Sequence, residues 1–393
     1  MISLADLVGP GGVEEFLGTT WGRQMRVYRG ADNQFADLLP WRTLNEILRR
    51  HRMGEPRLRL ARGGERVPVE EYTTAITPRR GAPYRRIEQG ELGRSLREGA
   101  TLVIDSFDEL CAPVDELAAD LERELRERVQ VNLYGSFSAT RGFDTHWDDH
   151  DVLVVQVHGS KHWRVFGHTR PYPTRRDVEQ PQAPTGQPDH DFVLTPGDVL
   201  HVPRGWWHDA SATDGASVHL TFGVSTSVGA DLISWLADEM RRHEVVRQDL
   251  PRFSGAEVRA QRVKELAELL TAELSEPDVL DRFFADRDAT AAPRTWGGLP
   301  FSVHDELPAD PQVRVRLQVP RVALVEPGDG TVALAGDGRR CTFAAPAAPV
   351  LRALVDGRAR ALADLVTVSG GLDAATVRAL CTELIRQGFV TEG

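Results

Sequence analysis

The chain has 393 residues, 41% hydrophobic and 27% charged, an ordinary composition for a globular protein of two or three domains and far from that of a disordered chain. Charged residues interrupt every apolar stretch well before the roughly 18–20 residues needed to span a bilayer, which predicts no membrane helix and no membrane partner. The net charge of −11 disfavours general attraction to nucleic acid, and Cys111, Cys341 and Cys381 are too few and too scattered for a disulfide framework or a thiolate metal site. No basic segment followed by an apolar one opens the chain, so a cytoplasmic location is expected.

Residues 1–95 read as α+β, with a helix at 41–50 and an Arg-, Gly- and Pro-rich stretch at 78–86. The first 100 residues carry 17 Arg against 13 acids, a net of +4 that leaves −15 for the remainder. Such a basic surface suits a polyanion such as ribosomal RNA, although a solvated charged face is the commoner origin. Lys161 and Lys264 are the only lysines in the chain. From Ala100 onward strand-like runs dominate: TLVIDSF, VQVNLYGSF, DVLVVQVHG, HWRVFG, DVLHVP and SVHLTFGV, separated by Gly, Pro and Asp. A crossing helix is predicted over 114–129. Short strands with few helices between them indicate an antiparallel sandwich or barrel.

After Val228 the apolar period becomes helical over 231–246 and 256–274. Strands near 321–325 and 331–335, helices near 348–356, 361–366 and 373–387, and a terminal strand then suggest a winged-helix shape. That region from Arg321 carries 8 Arg and 8 acids, so the electrostatic footprint of a DNA reader is absent and no direct DNA binding is expected. The expected organisation is a catalytic domain at 1–228, a helical segment at 229–300 that suits homodimerisation, and a winged-helix-like domain at 301–393.

Nine of the twelve histidines fall between His146 and His219. Histidine is the commonest metal ligand, and His146-Trp147-Asp148 places an imidazole and a carboxylate two residues apart at the expected start of a strand, on one face. His208 follows sixty residues later, beyond a Pro-Arg-Gly turn. Two imidazoles and one carboxylate leaving open positions describe a non-haem Fe(II) oxygenase site, the open positions serving a chelating co-substrate and O2. His150 and His201 are weaker candidates for the ligand role. His158, His162, His168 and His190 read as loop or outer-face residues, while His219 suits either core packing or support of the site.

The run Asn132-Leu-Tyr134, then His146-x-Asp148, DVLVVQVHGSKHWRVF and PGDVLHVPRGWWHDA resembles the JmjC-type, cupin-4 oxygenases, in particular the ribosomal-oxygenase branch with its added helical and winged-helix domains. The resemblance covers nearly all of the chain and implies a double-stranded β-helix (jelly roll) of the α+β class. By this resemblance His146, Asp148 and His208 are the Fe(II) ligands. Lys161, fifteen positions after the first ligand, is the grip for a carboxylate of 2-oxoglutarate, and Asn132 and Tyr134 line the co-substrate region, with His219 nearby. Trp206 and Trp207 suit the barrel mouth. Asp144, Thr145 and Arg141 depart from the branch in the approach to the first ligand, which puts the substrate in question more than the chemistry. The implied activity is Fe(II)- and 2-oxoglutarate-dependent hydroxylation of a side chain, such as the β-carbon of Arg or His in a ribosomal protein, or of a peptide. N-methyl-lysine demethylation and a catalytically silent cupin scaffold are the rivals.

Overall fold

The computed structural model describes every residue except 1, 10, 140–141, 175–181, 214, 295–296 and 305; Arg141 therefore lies outside the described residues. The chain divides into two units, Met1–Thr226 and Ser227–Gly393. Strands of the first unit are β1 (Arg26–Tyr28), β2 (Leu58–Arg62), β3 (Glu65–Arg66), β4 (Thr73–Ile76), β5 (Tyr84–Ile87), β6 (Thr101–Ile104) and β7 (Val129–Ser136). Then follow β8 (Asp151–His158), β9 (Lys161–His168), β10 (His190–Leu194), β11 (Val199–Val202), β12 (Trp206–Ala212) and β13 (Ser217–Val224). Eight of them form one sheet in the order β1-β11-β8-β13-β7-β6-β2-β3, and β10-β9-β12 form a second. Their pairings are antiparallel.

β8 shows how its sequence selects this layering. All but its last residue are buried, which an antiparallel strand achieves only when both faces are covered. Leu153, Val155 and Val157 pack with the helical layer, including Leu117 and Leu121 of the helix Ala112–Leu125. Val152 and Val154 turn the other way and pack with Trp163 of β9. The space between the sheets is thus reached by alternate residues of both, and the site forms there.

Helix Trp41–Arg50 has its expected bounds. The crossing helix ends at Leu125 rather than near 129, because Arg126 adopts a left-handed φ of 56° and Val129 already belongs to β7. His146 and Asp148 do not sit on a continuous strand. His146 makes an isolated bridge to His208, and β8 begins only at Asp151. Their convergence comes from that bridge and from the bend after it, where Gly205 N–H donates to the Asp148 carbonyl at 2.8 Å. Gly205 has φ +81°, and a Cβ there would stand 2.5 Å from Pro173 Cδ, so the turn into β12 requires glycine.

In the second unit, the helices Gly229–Glu239, Ala256–Leu274 and Val279–Ala289 precede two small antiparallel sheets. One sheet contains Ala323–Val325, Thr331–Gly336 and Arg339–Ala344; the other contains Arg360–Ala361, Arg314–Leu317 and Val390–Glu392. Helices Ala348–Val355, Leu362–Val368 and Ala374–Arg386 share their apolar core. Among the described residues no helix is long and apolar enough to cross a membrane, and the three cysteines are free and buried.

Candidate active site between the two sheets

His146 and His208 meet through their main chains. His146 N–H donates to the His208 carbonyl at 3.0 Å, and His208 N–H donates back to the His146 carbonyl at 2.7 Å. The rings consequently stand 4.5 Å apart between centroids. Each imidazole also has a backbone carbonyl beside Nδ1: Asp144 O at 2.9 Å for His146, and Trp206 O at 2.9 Å for His208. A carbonyl only accepts, so each Nδ1 carries a proton, which makes Nε2 the nitrogen available to ligate a cation. Burial and the neighbouring His146 hold the His208 pKa below the usual histidine value, which favours its neutral form. Asp148 Oδ2 lies 3.6 Å from His208 Nε2. One donor atom from each of His146, Asp148 and His208 falls within 4.8 Å of the others, a spacing that lets three ligands share one cation.

Behind these donors lies an ion pair that the sequence did not reveal. Asp209 is buried and accepts from Arg164 Nε at 3.0 Å and Nη2 at 2.6 Å, and from Thr145 Oγ1 at 2.9 Å. It therefore ties the residue before His146, the residue after His208 and strand β9 together. The signal available in sequence was an acid on the opposite face of a strand from a histidine, which alone indicates little.

The same cavity is lined by Lys161, Trp163, Tyr134, His219, Thr221 and Phe143. Lys161 is 4% exposed, with Nζ 3.3 Å from His219 Nδ1 and 3.5 Å from Ser136 Oγ. Among the described residues no acid pairs with it, and burial lowers its pKa to about 7. His219 is pushed well below the ordinary histidine value by burial and then by Lys161, so its neutral Nδ1 accepts from the ammonium. Its ring stacks on Tyr134 at 5.0 Å and 7°, and burial raises the Tyr134 pKa to about 12. Trp163 is buried, and its indole Nε1 has no hydrogen-bond partner among the described residues. A buried ammonium without a counter-ion and an orphaned N–H in one cavity fit a carboxylate ligand.

Asn132 stands just behind the lining, its side chain hydrogen-bonded to that of Tyr134. It shares the Tyr134 face of β7, but its Oδ1 accepts the Ser106 N–H at 3.1 Å, and it is not among the cavity-lining residues. Its cross-strand partner Thr221 lines the cavity instead. Trp163 and Thr221 were discoverable by parity, each two residues along the strand from Lys161 and His219 respectively. His201 is buried against Phe16 and Trp21, with Nδ1 at 3.0 Å from the Gln24 carbonyl. His150 packs over Gly223, where a Cβ would stand 2.6 Å from the ring. His158 stacks on Trp41. Trp207 Nε1 donates to Thr169 Oγ1 at 2.8 Å.

Residues 110–232, which hold the donor triad and Lys161, match the family model of the JmjC domain. The chain carries a JmjC domain. Among curated proteins it is similar to the bifunctional lysine-specific demethylase and histidyl-hydroxylase NO66 of Drosophila persimilis, 29% identical over 232 residues, covering 56% of this chain and 31% of that protein. It is also similar to ribosomal oxygenase 2 of Mus musculus, 36% identical over 132 residues, covering 32% of this chain and 28% of that one. The chain thus spans about a third or less of the length of these relatives. Among solved structures, Escherichia coli ycfD superposes with a TM-score of 0.61 at 19% identity, covering 96% of this chain and 97% of that one. A second structure of that protein, described as a ribosomal oxygenase in complex with cobalt and 2-oxoglutarate, has a TM-score of 0.58 at 18% identity. The JmjC domain therefore sits in a chain whose fold follows that of ycfD over nearly its whole length.

Proposed function

We propose that this protein is an Fe(II)- and 2-oxoglutarate-dependent oxygenase that hydroxylates a side chain of a ribosomal protein or a peptide, with the β-carbon of Arg or His as the target. The observation that carries the reading is the cavity itself: two imidazoles and a carboxylate with donor atoms within 4.8 Å of one another, and a buried lysine with no acid paired to it among the described residues in the same cavity. The ribosomal relatives and the cobalt and 2-oxoglutarate of ycfD support the same assignment.

In this reading His146, Asp148 and His208 hold the iron, and Lys161 receives the distal carboxylate of 2-oxoglutarate. Bound iron with this co-substrate and O2 supplies the oxidising power that converts an unactivated C–H to C–OH, releasing succinate and CO2. The chain supplies order. Carbonyls of Asp144 and Trp206 keep both imidazoles in the ligating tautomer. His219 accepts from Lys161 and fixes where its ammonium points. Tyr134, Trp163 and Phe143 give the cavity aromatic walls that exclude water and hold the target carbon in place.

Succinate formation from 2-oxoglutarate, with one oxygen atom gained by the substrate, is the direct test. His146→Ala and Asp148→Ala should each abolish turnover and weaken Co(II) binding; succinate release that persists in both would refute the ligand assignment. The NO66 name includes demethylase activity, and loss of a methyl group with formaldehyde release distinguishes that chemistry from hydroxylation. A silent scaffold predicts no turnover with any peptide.

We further infer a cytoplasmic homodimer. The helical segment 229–300 supplies the dimer contact and residues 301–393 a winged-helix-like domain in a protein-contact role rather than DNA binding. Exposed Ile233, Leu250, Phe253, Val258 and Val263 support the dimer reading. Light scattering that gives a monomer at micromolar concentration would remove it.

A further inference from the structure

A second concavity lies on the outer side of the large sheet. It measures about 740 Å3 and is bounded by helix Trp41–Arg50, strand β5 and the helix Gln89–Arg97, with Leu102 and Phe137 beneath. Leu102 and Thr101 are consecutive on β6, and Thr101 lines the JmjC cavity, so the two concavities share a wall while facing opposite ways.

Its chemistry is one-sided. Arg49, Arg50, His51, Arg52, Arg85 and Arg86 line it, and among the described residues no Asp or Glu does. Arg85 and Arg86 are partly neutralised from outside by Glu70 at 3.3 Å and Glu88 at 3.4 Å. Arg49, Arg50 and Arg52 are exposed and make no ion pair among the described residues. In a chain of net charge −11 this concentration is local rather than a general bias. Aromatic surface is interleaved with it. Trp41 is 36% exposed while its ring rests on His158 at 4.8 Å, and the Arg52 guanidinium lies over the Tyr84 ring at 4.2 Å.

We propose that this cleft binds a single-stranded polynucleotide, with phosphates on Arg49, Arg50 and Arg52 and bases stacked on Trp41 and Tyr84. Charge alone would also suit an acidic peptide, but such a peptide has no use for flat aromatic and guanidinium faces, whereas unpaired bases stack on both. A duplex keeps its bases closed to that contact. The inference stands apart from the oxygenase reading, because it concerns the opposite face of the sheet and is tested with nucleic acid alone.

The test is fluorescence anisotropy of the full chain with labelled single-stranded RNA and DNA oligomers of about twelve nucleotides, against the same sequence as a duplex and against an acidic peptide. Binding should weaken with salt with a log–log slope of about −2, as three phosphate contacts on a single strand require. The triple substitution Arg49→Glu, Arg50→Glu, Arg52→Glu should reduce affinity at least about tenfold, and Tyr84→Ala or Trp41→Ala roughly tenfold, with melting temperatures checked for each variant. Binding of RNA or DNA strands supports the inference, and their ratio identifies the preferred sugar. It is overturned by no binding at about 50 mM salt, by unchanged binding in the triple variant, by aromatic variants of native stability that bind normally, or by equal affinity for the duplex or the acidic peptide.

Discussion

Lys161 Nζ stands 3.3 Å from His219 Nδ1, so the buried cation of the site is held by a neutral imidazole and not by an acid. A carboxylate ligand thus meets an uncommitted charge. With no ligand bound the Lys161 pKa is lowered to about 7 by burial, and the arriving anion favours the charged form. Above pH 7 binding must therefore take up a proton, and 2-oxoglutarate affinity should fall toward tenfold per pH unit, a slope of about one proton. Calorimetry in two buffers of different ionisation enthalpy measures that uptake. Affinity that stays constant from pH 7 to 9 would remove Lys161 from the carboxylate site.

Replacing Lys161 with Met separates binding from stability. Lys161→Met should abolish 2-oxoglutarate binding yet leave Co(II) binding intact. The folded pKa lies below the unfolded one, at about 7 against 10.5, so the cost of burying the charge is fully present below pH 7. It disappears as pH rises toward 10.5. Without ligand, the variant should melt above the parent at pH 6, and the gap should close by pH 10. Thermal denaturation at the two pH values reads both signs.

Asp209 acts on the donors through their neighbours, Thr145 and Arg164. Asp209→Ala leaves Arg164 without this pair and frees the chain beside both histidines. A stability loss of about 2–3 kcal/mol is expected, below the roughly 3–5 kcal/mol of a fully buried broken pair because Arg164 is partly exposed. Co(II) affinity should fall about 10–100-fold, with a changed visible spectrum of the bound ion. Asp209→Asn, which keeps an acceptor for Thr145, should recover part of both. An unaltered spectrum in Asp209→Ala would show that the pair serves stability alone.

Trp163 Nε1 is a buried donor without a partner among the described residues. Trp163→Phe keeps an aromatic wall and removes the donor, so 2-oxoglutarate affinity should drop roughly tenfold, the weight of one hydrogen bond to a charged group. Fluorescence-free calorimetry checks it, since the substitution removes the reporter ring. Unchanged affinity would mean that the indole N–H does not reach the co-substrate.

The legible parts of this fold were those with a strong local period. β8 and β13 are long apolar runs between turns, and helices Trp41–Arg50 and Ala256–Leu274 match their expected bounds. β12 was not legible, because WWHDASA does not alternate and its register shifts between Trp206 and His208. β10 was missed for the same reason, since HDFVL is short and does not alternate either. Histidine clustering and the H-x-D spacing brought His146, Asp148 and His208 into view from local sequence, although the bridge and bend that gather them depend on residues sixty positions apart. The Arg164–Asp209 pair spans 45 residues across a strand pairing, and nothing local announces such a contact.

The reciprocal amide bonds between His146 and His208 have a bearing on how the protein lives with its metal. They are made by main-chain groups alone, so the facing of these two donors is set by the chain's own pairing and uses none of the atoms that would ligate an ion. Demetallation should then leave a receptive pocket rather than an unravelled one. Refilling then requires the ion and no refolding of the His146–His208 pair, so activity lost to iron scarcity should return when iron is restored.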